Sequence, residues 1–185
     1  MWDNWDVVES LRDLVSAAAA GDRHAFERVV DQTIDRMYGV ARRILQDDLA
    51  AEDAVQDALI AVWRDLGGLR DQARFEAWAY RLLVRACYRL AARERRSSAR
   101  MPIPDSVHSE RDAIADFADR DAMSLALAKL KPEHRAVVVL HHYADLPLTE
   151  VAAILGIPTG TARSRLHYAL RRIRPFVRHQ LEDLR

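Results

Sequence analysis

Six arginines and no acid fall within residues 159–178, interleaved with Thr161, Ser164, His167 and Tyr168. Guanidinium groups at this density bind phosphate, and hydroxyl, imidazole and guanidinium groups together can read base edges, so the chemistry on offer is nucleic-acid recognition. A merely solvated helix face usually mixes signs for i,i+4 pairing, and this stretch forgoes that pairing. A second set is acidic. Residues 46–57 hold five acids and no base, and Glu52, Asp53, Gln56 and Asp57 share one outward helical stripe. Such a stripe meets a basic helical partner across a polar interface, or is simply solvated near a helix start. A third set, residues 89–100, carries five arginines, including Arg89, Arg93, Arg95 and Arg96, against the single Glu94. It suits phosphate, or places cations favourably at a helix C-terminus.

Catalysis has less to work with. Asp53 and Asp57 at i,i+4 could hold Mg²⁺ in a small helical enzyme, which would need a convergent histidine. His134, His141 and His142 lie far along the chain, and adjacent histidines point to different sides of a helix, so they are read as surface or core residues. No catalytic residue, metal or cofactor is expected. The formal net charge of zero is thus the sum of one acidic and two basic surfaces. A sole cysteine, Cys87, excludes an internal disulfide and fits a reducing compartment. No apolar run approaches the roughly 18 residues that span a bilayer, and the acidic N-terminus with Trp2 and Trp5 lacks the build of a signal peptide; no membrane partner and a cytoplasmic location are expected.

The elements that must position these residues are helices. Apolar residues recur at three- and four-residue spacing, and no stretch alternates with period two, so the fold class is all-α. A short helix is expected over 7–19, stopped at Gly21. Asp22 caps a long helix whose inward face is Phe26, Val29, Val30, Ile34, Met37, Ala41 and Leu45. A third helix spans about 50–66, burying Ala54, Val55, Ala58, Leu59, Val62 and Trp63, and ends at Gly67-Gly68. A loop over 69–74 leads to a fourth helix, 75–96, with Trp78, Leu82, Leu83, Ala86 and Leu90 inward. Periodicity then lapses, with Pro102 and Pro104 among serines and charges, which is linker composition. Two small helical domains follow, 1–96 and 117–185, joined by a flexible linker at 97–116.

In the second domain a helix over 117–129 precedes one opened by Pro132. Thr149 is then taken as the N-cap of a short helix broken by Gly156, Ile157 and Pro158, and Thr159 opens a longer one. A short helix, a tight turn and a longer helix make a helix-turn-helix, whose second helix enters the major groove. Ala162, Leu166, Ala169, Leu170 and Ile173 face inward. Arg163, Ser164, His167, Tyr168 and Arg171 face outward, flanked by Arg165 and Arg172. Residues near the start of such a helix approach base edges, so Arg163, Ser164 and His167 are the readout candidates and the later arginines grip phosphate.

The run over 150–172, with Gly156-Ile157-Pro158, Gly160-Thr161 and Ser164-Arg165-Leu166-His167, resembles region 4 of extracytoplasmic-function (ECF) sigma factors of the sigma-70 superfamily. Ala51-Glu52-Asp53-Ala54-Val55-Gln56-Asp57 with Val62-Trp63-Arg64, and the stretch from Phe75 through Trp78 to Leu82, resemble region 2. The resemblance covers about 22–96 and 117–178. It implies a promoter-specificity factor that binds core RNA polymerase, recognises -35 and -10 elements and promotes DNA melting. Thr161, Arg163, Ser164, Arg165, His167, Arg171 and Arg172 would meet the -35 duplex. Glu52, Asp53, Gln56 and Asp57 would dock on the β′ clamp helices, and region 4 on the β flap tip. Capturing an unstacked base needs a polar loop beside basic and aromatic groups, which assigns Arg70, Asp71, Gln72 and Arg74, with Arg89 and Arg93, to the -10 element. Residues 105–121, with six acids and two arginines, would pass along the RNA exit path. An anti-sigma protein joins the partners as an expectation of the family alone. The sequence has Tyr168 where the family usually places an arginine, and Arg85 where asparagine is common. From the residues alone, a helix-turn-helix regulator acting without polymerase is the alternative.

Overall fold

The computed structural model describes residues 10–100 and 121–183, and all regular structure among them is helical. Helix α1 (Leu11–Ala19) is capped by Ser10, whose side chain accepts from the Asp13 amide. Helix α2 (Arg23–Leu45) is capped by Asp22, whose carboxylate accepts from the His24 and Ala25 amides at 2.9 and 3.1 Å. Helix α3 (Asp48–Asp65) starts two residues earlier than the spacing predicts because Asp47 supplies the cap, accepting from Ala50 at 2.7 Å. Two 3₁₀ turns, Leu66–Gly68 and Gln72–Arg74, lead to α4 (Phe75–Arg100). That helix runs four residues past the expected end at residue 96. The first nine residues and 101–120, which hold most of the expected linker, lie outside the described residues.

After them come α5 (Asp121–Ala128), α6 (Pro132–His142), α7 (Leu148–Leu155) and α8 (Thr159–Asp183). Pro132 occupies the first turn of α6, where its missing N–H costs nothing. Thr149 is not a cap: α7 begins at Leu148 behind Pro147, whose fixed φ of −63° aims the chain into the helix. Gly156 closes α7 with φ +66°, a left-handed conformation that glycine adopts without strain.

One buried cluster gathers Leu14, Val15, Val29, Val62, Leu66 and Phe75 at one end of α1–α4. The other is larger and continuous across both halves: Val40 and Ile44 of α2, Leu83 and Cys87 of α4, Leu127 of α5, Val137–Leu140 of α6 and Ile154 of α7 belong to it. The two halves therefore share apolar packing, which a chain with a linker at 97–116 does not announce. Three expected core residues face outward instead. Ile34 is 37 %, Trp63 42 % and Leu170 40 % exposed, and each lines a surface groove. Leu59 and Leu166 are packed at the core's edge rather than within it.

Candidate nucleic-acid and partner interfaces

Helix α8 is positioned by Ala162, Ala169 and Ile173, buried on one side at 0, 0 and 4 % exposure. The methyl-sized residues let α8 approach α7 and α6 closely. With about 100° per residue, the direction opposite this buried seam passes through Ser164 and Arg171, with His167 and Tyr168 to either side. Arg163 and Arg174 form one flank, and Arg165 and Arg172 the other, about 180° around the helix. A helix in a major groove has base edges ahead and a phosphate wall on each side, and this distribution supplies both. Arg163, Ser164, His167, Arg171 and Arg172 are exposed, while Thr161 is half-buried near the helix start. Ser164 donates its hydroxyl to the Thr161 carbonyl at 2.9 Å. Arg165 is half-buried, and its charge is felt by Tyr88 of α4 and His134 of α6. It thus faces the seam between the halves.

The loop before α4 is ordered by Asp71, which accepts from the Ala73 amide at 3.1 Å and pairs with Arg74 at 3.4 Å. Arg70 and Arg74 are exposed and Gln72 is half-buried. Arg89 and Arg93 are exposed on α4, but Arg89 meets Asp57 of α3 at 3.3 Å. One residue expected to contact DNA and one expected to contact polymerase are therefore partners in this structure.

The acidic stripe is exposed along its length and divides in two. Asp57 turns toward α4, whereas Glu52 and Gln56 line a groove of about 760 Å³ between α2 and α3. Phe26, Val30, Ile34, Leu59, Ile60 and Trp63 supply its apolar wall, with the Phe26 and Trp63 rings 4.8 Å apart. Sequence reasoning found the polar edge of this surface and missed its apolar part. The available signal was the width of the apolar stripe on α2 and α3, broader than one packed side requires. A second groove, about 670 Å³, lies among α2, α5, α6 and α8; Leu127, Val138, Leu170 and Ile173 line it with Arg43, Arg171 and Arg174.

The rings of His141 and His142 lie 4.6 Å apart rather than on different sides of the helix. His141 hydrogen-bonds through Nδ1 to the Leu146 carbonyl at 2.8 Å, and His134 stacks near Tyr168 at 4.7 Å between centroids. Burial, then the nearby Arg165 charge, hold His134 below its ordinary range; burial and His141 do the same for His142. Among the described residues no three His, Cys, Asp or Glu side chains are grouped to hold a metal ion. Cys87 is buried and its thiol is pushed up to about 12 by desolvation, so it is poorly reactive. No described helix is long and apolar enough to cross a membrane.

A helix-turn-helix whose reading helix carries six arginines and no acid over residues 159–178, joined in one chain to a helical unit with an acidic-rimmed apolar groove, defines a DNA-binding protein built to work on a second macromolecule. Comparison with known sequences identifies which. The family "Sigma-70 region 2" matches residues 29–97 and "Sigma-70, region 4" matches 126–175. The chain is 32% identical over 165 residues to the ECF RNA polymerase sigma factor SigM of Mycobacterium tuberculosis, covering 89% of this chain and 83% of that protein. It is 27% identical over 188 residues to SigW of Bacillus subtilis, covering 94% and 98%. Among solved structures, the Bartonella quintana sigma factor RpoE, determined with its anti-sigma factor NepR, has a TM-score of 0.67 at 24% identity, covering 83% of this chain and 96% of that one. CnrH in complex with the cytosolic domain of CnrY gives 0.66, also at 24%, covering 91% and 97%. The chain belongs to the ECF sigma factors of the sigma-70 family. It is a non-enzymatic factor for transcription initiation at promoters.

Proposed function

We propose that α8 reads the -35 element as duplex DNA, with Thr161, Arg163, Ser164 and His167 toward base edges and Arg165, Arg171 and Arg172 toward phosphate. The observation that carries this is the exposed face of α8, which presents Arg163, Ser164 and His167 within its first nine residues, the end that approaches base edges, and Arg171 and Arg172 further along. Arg70, Asp71, Gln72 and Arg74, with Arg89 and Arg93, form the -10 surface; contact with the melted strand then competes with the Arg89–Asp57 pair. Core RNA polymerase docks its β′ clamp helices on the α2–α3 groove, where Glu52, Asp53, Gln56 and Asp57 add charge complementarity to the apolar wall. The apolar wall of the second groove, Leu127, Val138, Leu170 and Ile173, takes the β flap tip.

The first unit comprises residues 1–96 and the second 117–185, with 97–116 connecting them along the RNA exit path. Work with polymerase places the protein in the cytoplasm. An anti-sigma protein covering the same grooves is the regulatory partner; the support is the fold shared with a factor solved in complex with one. The test is charge reversal at the exposed rim, Glu52→Lys with Asp53→Lys, measured as retention on immobilised core polymerase. Loss of retention with unchanged helicity is expected. Full retention would move the docking surface elsewhere.

A further inference from the structure

Residues 1–9 carry a repeated doublet, Trp2-Asp3 and Trp5-Asp6, and no basic side chain. Neither the promoter contacts nor the polymerase contacts proposed above use it. Indoles bury large areas against apolar surface, and carboxylates beside them call for cations at its rim.

Two grooves offer an apolar wall, and their rims differ in sign. Glu27, Asp35 and Glu52 line the α2–α3 groove against the single Arg23. The groove among α2, α5, α6 and α8 carries Arg43, Arg171 and Arg174 with His142 and His167, and no acid among its described lining residues. Arg43 is set in place: its guanidinium carbon lies 3.7 Å from the centroid of the Tyr143 ring, and it donates to the Gly39 carbonyl at 3.0 Å. Tyr143 in turn occupies the space that a side chain at position 39 would need. On the wall of this basic groove Leu170 is 40 % and Met123 49 % exposed. A Trp-Asp tail matches this groove in charge and is repelled by the other.

The course of the chain selects the same groove. Ala25 and Val29 of α2 share a buried cluster with Leu14 and Val15 of α1. At about 100° per residue, Gly39 and Arg43 fall within about 40° of Ala25, whereas Phe26, Val30 and Ile34 of the acidic groove lie about 100–180° away. Helix α1 and the basic groove are thus on one side of α2. Residues 20–22 join α1 to α2, a connection short enough to make an antiparallel hairpin that brings Ser10 beside about residue 32. Arg43 stands about eleven residues further (43 − 32), or about 16 Å along the axis. Nine residues reach about 30 Å when extended, which suffices.

We propose that residues 1–9 dock in the basic groove, with the Trp2 and Trp5 indoles on its apolar wall and the Asp3 and Asp6 carboxylates toward Arg43, Arg171 and Arg174. His167 and Arg171 line the groove and also belong to the face of α8 assigned to DNA, so the docked tail shields that face from duplexes. The flap tip, assigned to the same wall, displaces the tail when polymerase binds. The shielding rests on the reading of α8 as the DNA helix; the docking does not.

Disulfide trapping in the full chain, without DNA, tests the docking. Asn4→Cys is paired either with Met123→Cys in the basic groove or with Ile60→Cys in the acidic one, both exposed positions, Cys87 being buried and poorly reactive. Rapid intramolecular crosslinking is expected with Met123→Cys, and its loss when Trp2→Ala and Trp5→Ala are added. No crosslink, or one formed as fast with Ile60→Cys, overturns the docking.

Fluorescence anisotropy with a labelled duplex of random sequence, at about 50 mM salt, tests the shielding. Trp2→Ala with Trp5→Ala leaves the charge unchanged, so a tail that acts only by repulsion predicts no effect. A tail docked about nine-tenths of the time predicts about tenfold tighter binding by that variant, because only the uncovered fraction is competent. Equal affinities overturn the shielding. If Arg171→Ala then leaves duplex affinity unchanged in the double variant, the reading of α8 as the DNA helix fails, and the trapping result still stands or falls by itself.

Discussion

Arg163 and Arg172 lie nine residues apart on α8, about 13.5 Å along the axis and about 180° around it. They cannot do the same work on one DNA duplex. Arg163 is the fifth residue of the helix, near the end that approaches base edges, and Arg172 faces the opposite wall further along. Replacing Arg163 with alanine is expected to cost about 1–3 kcal/mol at its cognate base, or roughly 5- to 150-fold, and little once that base is changed. Replacing Arg172 removes one phosphate contact, lowering the salt slope by about 0.9. Between about 50 and 200 mM salt, its affinity should then fall about 3.5-fold less than that of the wild type. The assay is binding of the polymerase-bound factor to promoter duplexes varied one base at a time across the -35 element, at both salt concentrations. A uniform loss for Arg163→Ala, or a base-selective loss without a salt effect for Arg172→Ala, would refute the division of roles read from the helix geometry.

Gly156→Ala places a Cβ at φ +66°, which should destabilise the second half by about 1–2 kcal/mol; chemical denaturation measures it, and an unchanged midpoint would show that the turn tolerates a side chain. His134 and His142 are held below the ordinary histidine value of about 6.5 in the folded state. The unfolded chain therefore binds more protons below that value, so stability contributed by the neutral rings is full above about pH 6.5, falls as pH drops toward the folded values and then levels off. Replacing both with glutamine should flatten the loss of thermal stability between about pH 7.5 and 5.5, and an unaltered pH profile would contradict it.

Much of this was legible in the sequence because caps and periodicity are local. Asp22 announces α2 through the two amides it accepts from, and Gly156 ends α7 through its left-handed backbone. Thr149 misled because Pro147 starts α7 two residues sooner, without any side-chain cap. Ile34, Trp63 and Leu170 misled for another reason: helical spacing marks an apolar stripe but does not say whether the chain's own core or a groove receives it. The acidic rim at Glu52 and Gln56 was readable, and the apolar wall beside it was not.

The Gly39–Tyr143 contact was invisible because its two members are 104 positions apart (143 − 39). Glycine in a helix interior costs about 0.5–1 kcal/mol relative to alanine, which marks position 39 as unusual without naming its partner. The same distance hid the shared core, since a proline-containing connection reads as a boundary whether or not the halves pack together.

Transcription from a pool of bacterial promoter fragments, with core RNA polymerase and with or without this protein, tests the central claim most directly. Protein-dependent initiation from a defined subset that shares one element near -35 and another near -10 is the predicted result. Binding to core polymerase without initiation from any fragment, or no binding to core at all, would contradict it.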